Sequence, residues 1–274
     1  MRQTPNVLYI AVDGLIPVHG KSFPGLDEFT AALDHAGVPA VWLTSRSRLQ
    51  FDDARRKNAH THPFIAESGC CVYMPEDYFH LRPEKTVRLG RFTCIPIAEK
   101  VPAAAQALEA LSEDTRVPVV PLRSLSPREL AQNTGLPQRE AELARQRDFD
   151  ELFFFAGASD ADVQRFILKA REQKLQLRQH NVIWSLAIGA NVGRGIRELA
   201  KLYDRALRYH PTTLGVATAN EAEYLFPYCD RSILLSDRRA KAGETQGQVA
   251  PRPEFPLHSP EMWELLLESI ISKI

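Results

Sequence analysis

The sequence predicts an α/β protein, a doubly wound and mostly parallel sheet interrupted by an inserted α+β segment. Three observations carry this. The run Val7-Leu8-Tyr9-Ile10-Ala11-Val12 is continuously apolar and β-rich, as a central strand covered on both faces must be. Strand-like and helix-like stretches alternate through the first part of the chain and again near its end. Between them the texture changes to strongly helical pieces mixed with short β-like ones. The expected organisation is a core of residues 1–84 and 189–274 with an inserted domain of residues 85–188.

Each element follows from local signals. Asp13-Gly14, a common turn pair, stops the first strand. Apolar residues at helical spacing predict a helix over about 25–36, and Gly37 ends it. Residues 39–43 read as a second strand closing on Thr44-Ser45-Arg46, followed by a largely polar helix over about 48–57. Phe64-Ile65-Ala66 leads into Glu67-Ser68-Gly69 and a short strand over 71–74. Within the insert, 117–120, 152–155 and 182–187 are β-like, whereas 103–111, 127–134, 138–147 and 160–174 are helical. The α/β rhythm returns with a helix over 195–207, a strand over 213–217, a helix starting at 221 and a last strand over 231–235. Residues 238–258, rich in Gly, Gln and Pro, read as a long loop, and 260–274 as an amphipathic helix.

Composition narrows the function classes. A hydrophobic fraction of 44% in 274 residues is enough for a large buried core. Lys plus Arg and Asp plus Glu both number 34, so no global field draws the chain to nucleic acid or an anionic membrane. No apolar run approaches the ~20 residues of a membrane helix, and no N-terminal signal is visible, so a cytoplasmic protein is expected. Cys70, Cys71, Cys94 and Cys229 make no CxxC pair and read as buried reduced thiols.

An apolar strand ending in Asp13-Gly14 and a second ending in Thr44-Ser45-Arg46 resemble the opening of the haloacid dehalogenase superfamily. Within it the chain resembles the mannosyl-3-phosphoglycerate phosphatases. Pro63-Phe64-Ile65-Ala66-Glu67-Ser68-Gly69 stands in place of that family's Pro-Phe-Ile-x-Glu-Asn-Gly. Further fragments follow in order: Thr134-Gly135-Leu136, the stretch from Arg147 through Asp148 and Glu151 to Phe153, Gly193-Arg194-Gly195, Asp230-Arg231-Ser232, and Pro260-Glu261-Met262-Trp263. The resemblance implies a haloacid-dehalogenase-like core whose insert is a substrate-recognising cap of the C2 type.

It also implies a chemistry. In such phosphatases a strand-end Asp attacks phosphorus and a second Asp two residues on protonates the leaving oxygen. Mg²⁺ is held by acidic groups, and a Ser/Thr and a Lys bind the phosphate. Here the first motif reads Ala11-Val12-Asp13-Gly14, so Asp13 takes the acid/base position and Ala11 the nucleophile's. Asp13 is equally readable as a turn residue. Thr44 takes the hydroxyl position, with Ser45 and Arg46 beside it; a helix cap is compatible with that role. The lysine position is Val192; Arg194 is nearby, as a substitute cation or as a surface residue. The metal carboxylate falls on Ala217, with Asn220 retained and Glu221 as a remnant of the last acidic ligand.

Three central groups are thus replaced together. The leading expectation is a pseudophosphatase, a ligand-binding or regulatory protein with no cofactor, holding a small sugar-phosphate or glycerate-like ligand or a protein partner. Glu67, Ser68, Arg147, Asp148 and Glu151 are candidate ligand contacts, with internal ion pairs and turn hydrogen bonds as the alternative. A second expectation is an active Mg²⁺-dependent phosphatase using Asp13 with Glu221. A third is an interaction protein with a vestigial pocket, using the 238–258 loop or the terminal helix as contact sites.

Overall fold

A computed structural model of the chain describes residues 6–16, 25–80, 83, 85–236, 254–256 and 262–271. The first apolar run forms β1 (Asn6–Ala11), followed by α1 (Leu26–His35), β2 (Ala40–Leu43), α2 (Arg48–Lys57) and β3 (Phe64–Ala66). Next come β4 (Cys71–Pro75), β5 (Val87–Leu89) and β6 (Phe92–Pro96). The insert supplies α3 (Val101–Thr115), β7 (Val119–Pro121), α4 (Pro127–Thr134), α5 (Gln138–Ala144), β8 (Glu151–Phe155), α6 (Asp160–Glu172), β9 (Leu175–His180) and β10 (Ile183–Ile188). The chain returns through α7 (Val192–Leu207), β11 (Thr212–Thr218), α8 (Ala219–Leu225), β12 (Arg231–Ser236), β13 (Glu254–Pro256) and α9 (Met262–Ile271).

The main sheet runs β13-β12-β11-β1-β2-β3-β4-β6-β5. Neighbours from β13 to β3 are parallel, and the β4, β6 and β5 pairings are antiparallel. Strand order reverses direction between β1 and β11, which opens a crevice at their carboxyl ends. Alternation along β1 explains its unbroken apolar run. Leu8, Ile10 and Val12 pack into the cluster with Trp42, Phe64 and the α1 residues Phe29 and Leu33. Tyr9 and Ala11 face the opposite way, toward Val41, Leu43, Ile65 and the α7 residues Ile196 and Leu199. The terminal helix closes the first face, its Trp263 ring 4.9 Å from that of Phe29.

A smaller antiparallel sheet, β7-β8-β10-β9, belongs to the insert and carries α3 and α6 on one face. That layer has its own core, with Leu108, Leu111, Phe153, Phe166 and Leu186 all fully buried. The domain line at residue 85 needs correction. Strands β5 and β6 pair into the main sheet, so the departure to the insert comes after Pro96 rather than at 85. A helix expected to reach residue 174 stops at Glu172, because β9 begins at Leu175 and pairs with β10 along its whole length. Of the expected 238–258 loop, residues 254–256 form an edge strand on β12, and the others lie outside the described residues.

Two turns position the crevice. Gly69, at φ +96°, brings the loop after β3 against the first turn of α7; a Cβ there would lie 2.7 Å from the Val192 backbone nitrogen. Gly37, at φ +69°, has no neighbour within 4 Å of such an atom. Replacing Gly69 by Ala is expected to cost at least about 2 kcal/mol of unfolding free energy, and Gly37→Ala about 1 kcal/mol. Urea unfolding of the two variants measures the difference, and equal costs would remove the claim that the Gly69 contact is tight.

Candidate functional site

The crevice is the mouth of a cleft of about 810 Å³ between the main sheet and the insert. Its floor is apolar: Ala11, Leu43, Ile65, Val192 and Leu225 line it. Ala217 belongs to the same buried cluster as Ala11 and Val192, and Thr218 rather than Ala217 reaches the cleft. Three positions distant in sequence therefore meet beneath one surface.

Asp13 stands at the edge of that floor, with its carboxylate already engaged. The Thr44 hydroxyl donates to one oxygen, and the Ser45 N–H donates to the other at 2.6 Å. Arg46 adds a cation, its Nε 3.9 Å from Asp13 Oδ1, while its Nη2 donates to the Ile16 carbonyl. The Arg46 N–H in turn donates to Thr44 Oγ1 at 3.1 Å. A hydroxyl, a backbone N–H and a guanidinium converging after a strand make an anion-binding nest. In this protein the nest holds the chain's own carboxylate.

Several predicted site residues line the cleft: Asp13, Thr44, Ser45, Arg46, Ser68, Arg147, Asn220 and Glu221. Glu221 sits beside Asp13 but accepts the Thr218 hydroxyl's hydrogen bond; burial raises its pKa, the Thr218 bond opposes this and Asp13 adds to it. Two predictions need correction. Arg194 is exposed on the first turn of α7, where its N–H is capped by Asn191 Oδ1 at 2.8 Å, and it does not line the cleft. Glu67 is fully buried and touches no cleft space. Its carboxylate accepts from three consecutive backbone N–H groups, those of Asp148, Phe149 and Asp150, at 3.0, 2.8 and 3.2 Å.

That contact belongs to a buried knot. Arg147 donates to both oxygens of Asp150, at 2.6 and 2.8 Å, and to the Ser45 carbonyl at 2.8 Å. Asp148 receives Arg48 Nε at 2.8 Å and the Tyr73 hydroxyl at 3.1 Å. The internal ion-pair reading thus describes Asp148 and the Arg147–Asp150 pair, and Glu151 likewise faces Arg123 Nε at 3.6 Å.

The walls also contain residues absent from the sequence reading. Arg178 and His180, two apart on β9, project into the cleft from the insert, and Tyr224 of α8 faces them from the core. The Arg178 guanidinium lies 3.9 Å from the centroid of the Tyr224 ring. The signal was the alternation in Leu175-Gln176-Leu177-Arg178-Gln179-His180, where Leu175 and Leu177 pack on the insert's core and the even positions face away. Burial lowers the pKa of His180; Asp13 and Asp150 oppose the shift, and Arg147 and Arg178 reinforce it.

Donors for a divalent cation are poorly matched. The positions that carry the ligands in the phosphatase pattern are Ala11 and Ala217, and Glu221 is turned to Thr218. Among the described residues, no three His, Cys, Asp or Glu side chains are grouped to hold a metal ion.

Against known proteins, no family model matches the chain. The chain is similar to a glucosyl-3-phosphoglycerate/mannosyl-3-phosphoglycerate phosphatase of Persephonella marina, 22% identical over 84% of both chains. It is also 22% identical to the protein of the same name from Methanococcoides burtonii, over 72% of this chain and 73% of that one. Among solved structures, a protein of Bacteroides thetaiotaomicron described with the phosphatases of the HAD superfamily superposes with a TM-score of 0.64, over 99% of this chain and 96% of the other at 14% identity. The chain has the fold of the haloacid-dehalogenase-like hydrolases. Its α/β core is built on the nine-stranded sheet with its flanking helices, and the cleft lies at the carboxyl ends of the parallel strands, where such sheets place ligands.

The buried knot makes stability depend on pH. Burial pushes the Glu67 carboxyl from its ordinary 4.5 up to about 8, with Arg147 opposing and Asp150 reinforcing the rise. A raised folded-state pKa favours the fold fully below the unfolded value, and that contribution fades as pH rises through the folded one. Unfolding free energy is therefore expected to fall between about pH 5 and pH 8. Glu67→Gln removes this slope while lowering stability at every pH; an unchanged slope in denaturant titrations would refute the assignment.

Proposed function

We propose that this protein is a pseudophosphatase: a non-catalytic protein that binds a small polar ligand in the cleft between the core and a cap formed by the insert. The observation that carries this reading is the engagement of Asp13. The groups suited to receiving a phosphoryl group, the Thr44 hydroxyl, the Ser45 N–H and Arg46, are saturated by a neighbouring carboxylate. An incoming phosphate dianion would meet that carboxylate, with the nearest cation, Arg46, already facing Asp13.

The floor supports the same reading. Ala11 offers no nucleophile, Val192 no cation and Ala217 no metal ligand, and the three share one apolar cluster. Loss of a covalent nucleophile alone typically lowers turnover by roughly 10⁴–10⁶-fold. By analogy with the relatives' names, the ligand is of the sugar-phosphate or glycerate class, bound without Mg²⁺. The thiols of Cys70, Cys71 and Cys94 are free and buried, which suits a reducing cytoplasmic location, and no helix among the described residues is long and apolar enough to cross a membrane.

The test is release of inorganic phosphate from glucosyl- and mannosyl-3-phosphoglycerate with Mg²⁺ present. The wild-type chain is expected to stay at the blank rate, and the triple variant Ala11→Asp, Val192→Lys, Ala217→Asp to rise above it. Wild-type turnover that disappears in Asp13→Asn would overturn the proposal in favour of an enzyme working through Asp13 and Glu221.

A further inference from the structure

Not every cation facing the cleft has a carboxylate in contact. Asp13 is matched by Arg46 and Asp150 by Arg147. Arg178 has no carboxylate partner and no hydrogen-bond acceptor among the described residues; its contact is the face of Tyr224. A half-buried guanidinium without an anion is costly, since burial works against its charge and a π face returns only part of the lost hydration. Burial accordingly lowers the Arg178 pKa, with Tyr224 opposing the shift. Stacking leaves the N–H donors at the edge of the guanidinium plane free, and that planar fork matches an oxyanion.

We infer that Arg178, braced on Tyr224, is the anion-recognition residue of the cleft, and that the ligand is a hydroxyl-bearing organic carboxylate seated there rather than at Thr44. Three features define this class. Arg178, a guanidinium with no carboxylate in contact, calls for an anion, and Asp13 and Glu221 in the same cleft disfavour a dianion. His180, on the same strand face and held by Ser185 at 3.3 Å, adds a polar ring beside the guanidinium. Neutral hydrogen-bonding groups, Ser68, Asn181 and Asn220 among them, line the remainder and suit hydroxyls. The cleft thus recognises charge from the insert side, with its apolar floor left for the carbon skeleton.

This assignment rests on the cleft being a binding site but not on the absence of catalysis. Calorimetric titration of the full chain with sodium gluconate, sorbitol and inorganic phosphate tests it. Gluconate is expected to bind, and sorbitol, its neutral analogue, to give no heat of binding. Arg178→Gln should weaken gluconate about 10- to 100-fold. Arg178→Lys, which keeps the charge but not the fork, should fall between. Arg205→Gln, exposed on α7 outside the cleft, should bind as the wild type does. Tyr224→Leu, on a half-exposed core position, should weaken gluconate about 3- to 10-fold and serves if Arg178→Gln does not fold. Wild-type-like gluconate binding by a folded Arg178→Gln, or wild-type indifference between gluconate and sorbitol, overturns the inference; tighter binding of phosphate than of gluconate overturns the carboxylate class. Phosphate-ester turnover by the wild type would sink the non-catalytic reading alone, leaving Arg178 to be judged on the gluconate data.

Discussion

The surrender of the Glu67 carboxylate to three successive backbone N–H groups is the contact on which the cleft depends. Glu67 itself adopts φ +51°, a backbone state uncommon for a residue with a side chain, and this turns its carboxylate inward from the end of β3. There it grips the segment that leads out of the α5 turn into β8, while Arg147 at the start of that segment grips the Ser45 carbonyl. Core loop and insert are thereby fastened at the point where the cleft begins. In a low-dielectric surround such a set is close to all-or-none, because removing one member leaves another buried and unpaired.

The chemistry of the floor follows a related logic of compensation. In a haloacid dehalogenase phosphatase the nucleophilic carboxylate, the phosphate lysine and the metal carboxylate hold one another's charges in check. Any single loss would strand a charge against the apolar sheet. Ala11, Val192 and Ala217 together strand none, and the carboxylate present, Asp13, occupies a nest suited to an external anion. The three residues are physically coupled, because none of them leaves a charge for another to answer.

Much of this was legible from local sequence. The β1 run, Asp13-Gly14 and Thr44-Ser45-Arg46 announce their places because strand ends and turn pairs are short-range signals, and the structure brings Asp13 and Thr44 into contact. Glu67 was misjudged because spacing says that a polar residue follows a strand, not which way its side chain turns. For the same reason on a helix, sequence left Arg194 between a substitute cation and a surface residue, and it is the surface residue. Strands β5 and β6 escaped notice because Val87-Arg88-Leu89 is short and exposed, and its place in the main sheet depends on long-range pairing. Arg178 and Tyr224 could not be paired from sequence at all. They lie on different layers, and only the docking of the insert places a guanidinium over the ring.

The occupied nest has a consequence for re-engineering the floor. With Asp13 held by Thr44, Ser45 and Arg46, an aspartate introduced alone at position 11 would stand near a second carboxylate whose cation, Arg46, is already engaged. A lysine introduced alone at 192 would instead enter beside Ala11 as a desolvated charge with Asp13 already spoken for. Each single step is therefore uphill, although all the steps together need not be. The carboxylate nest acts as a ratchet: charge can be added to this floor as a set, not one group at a time.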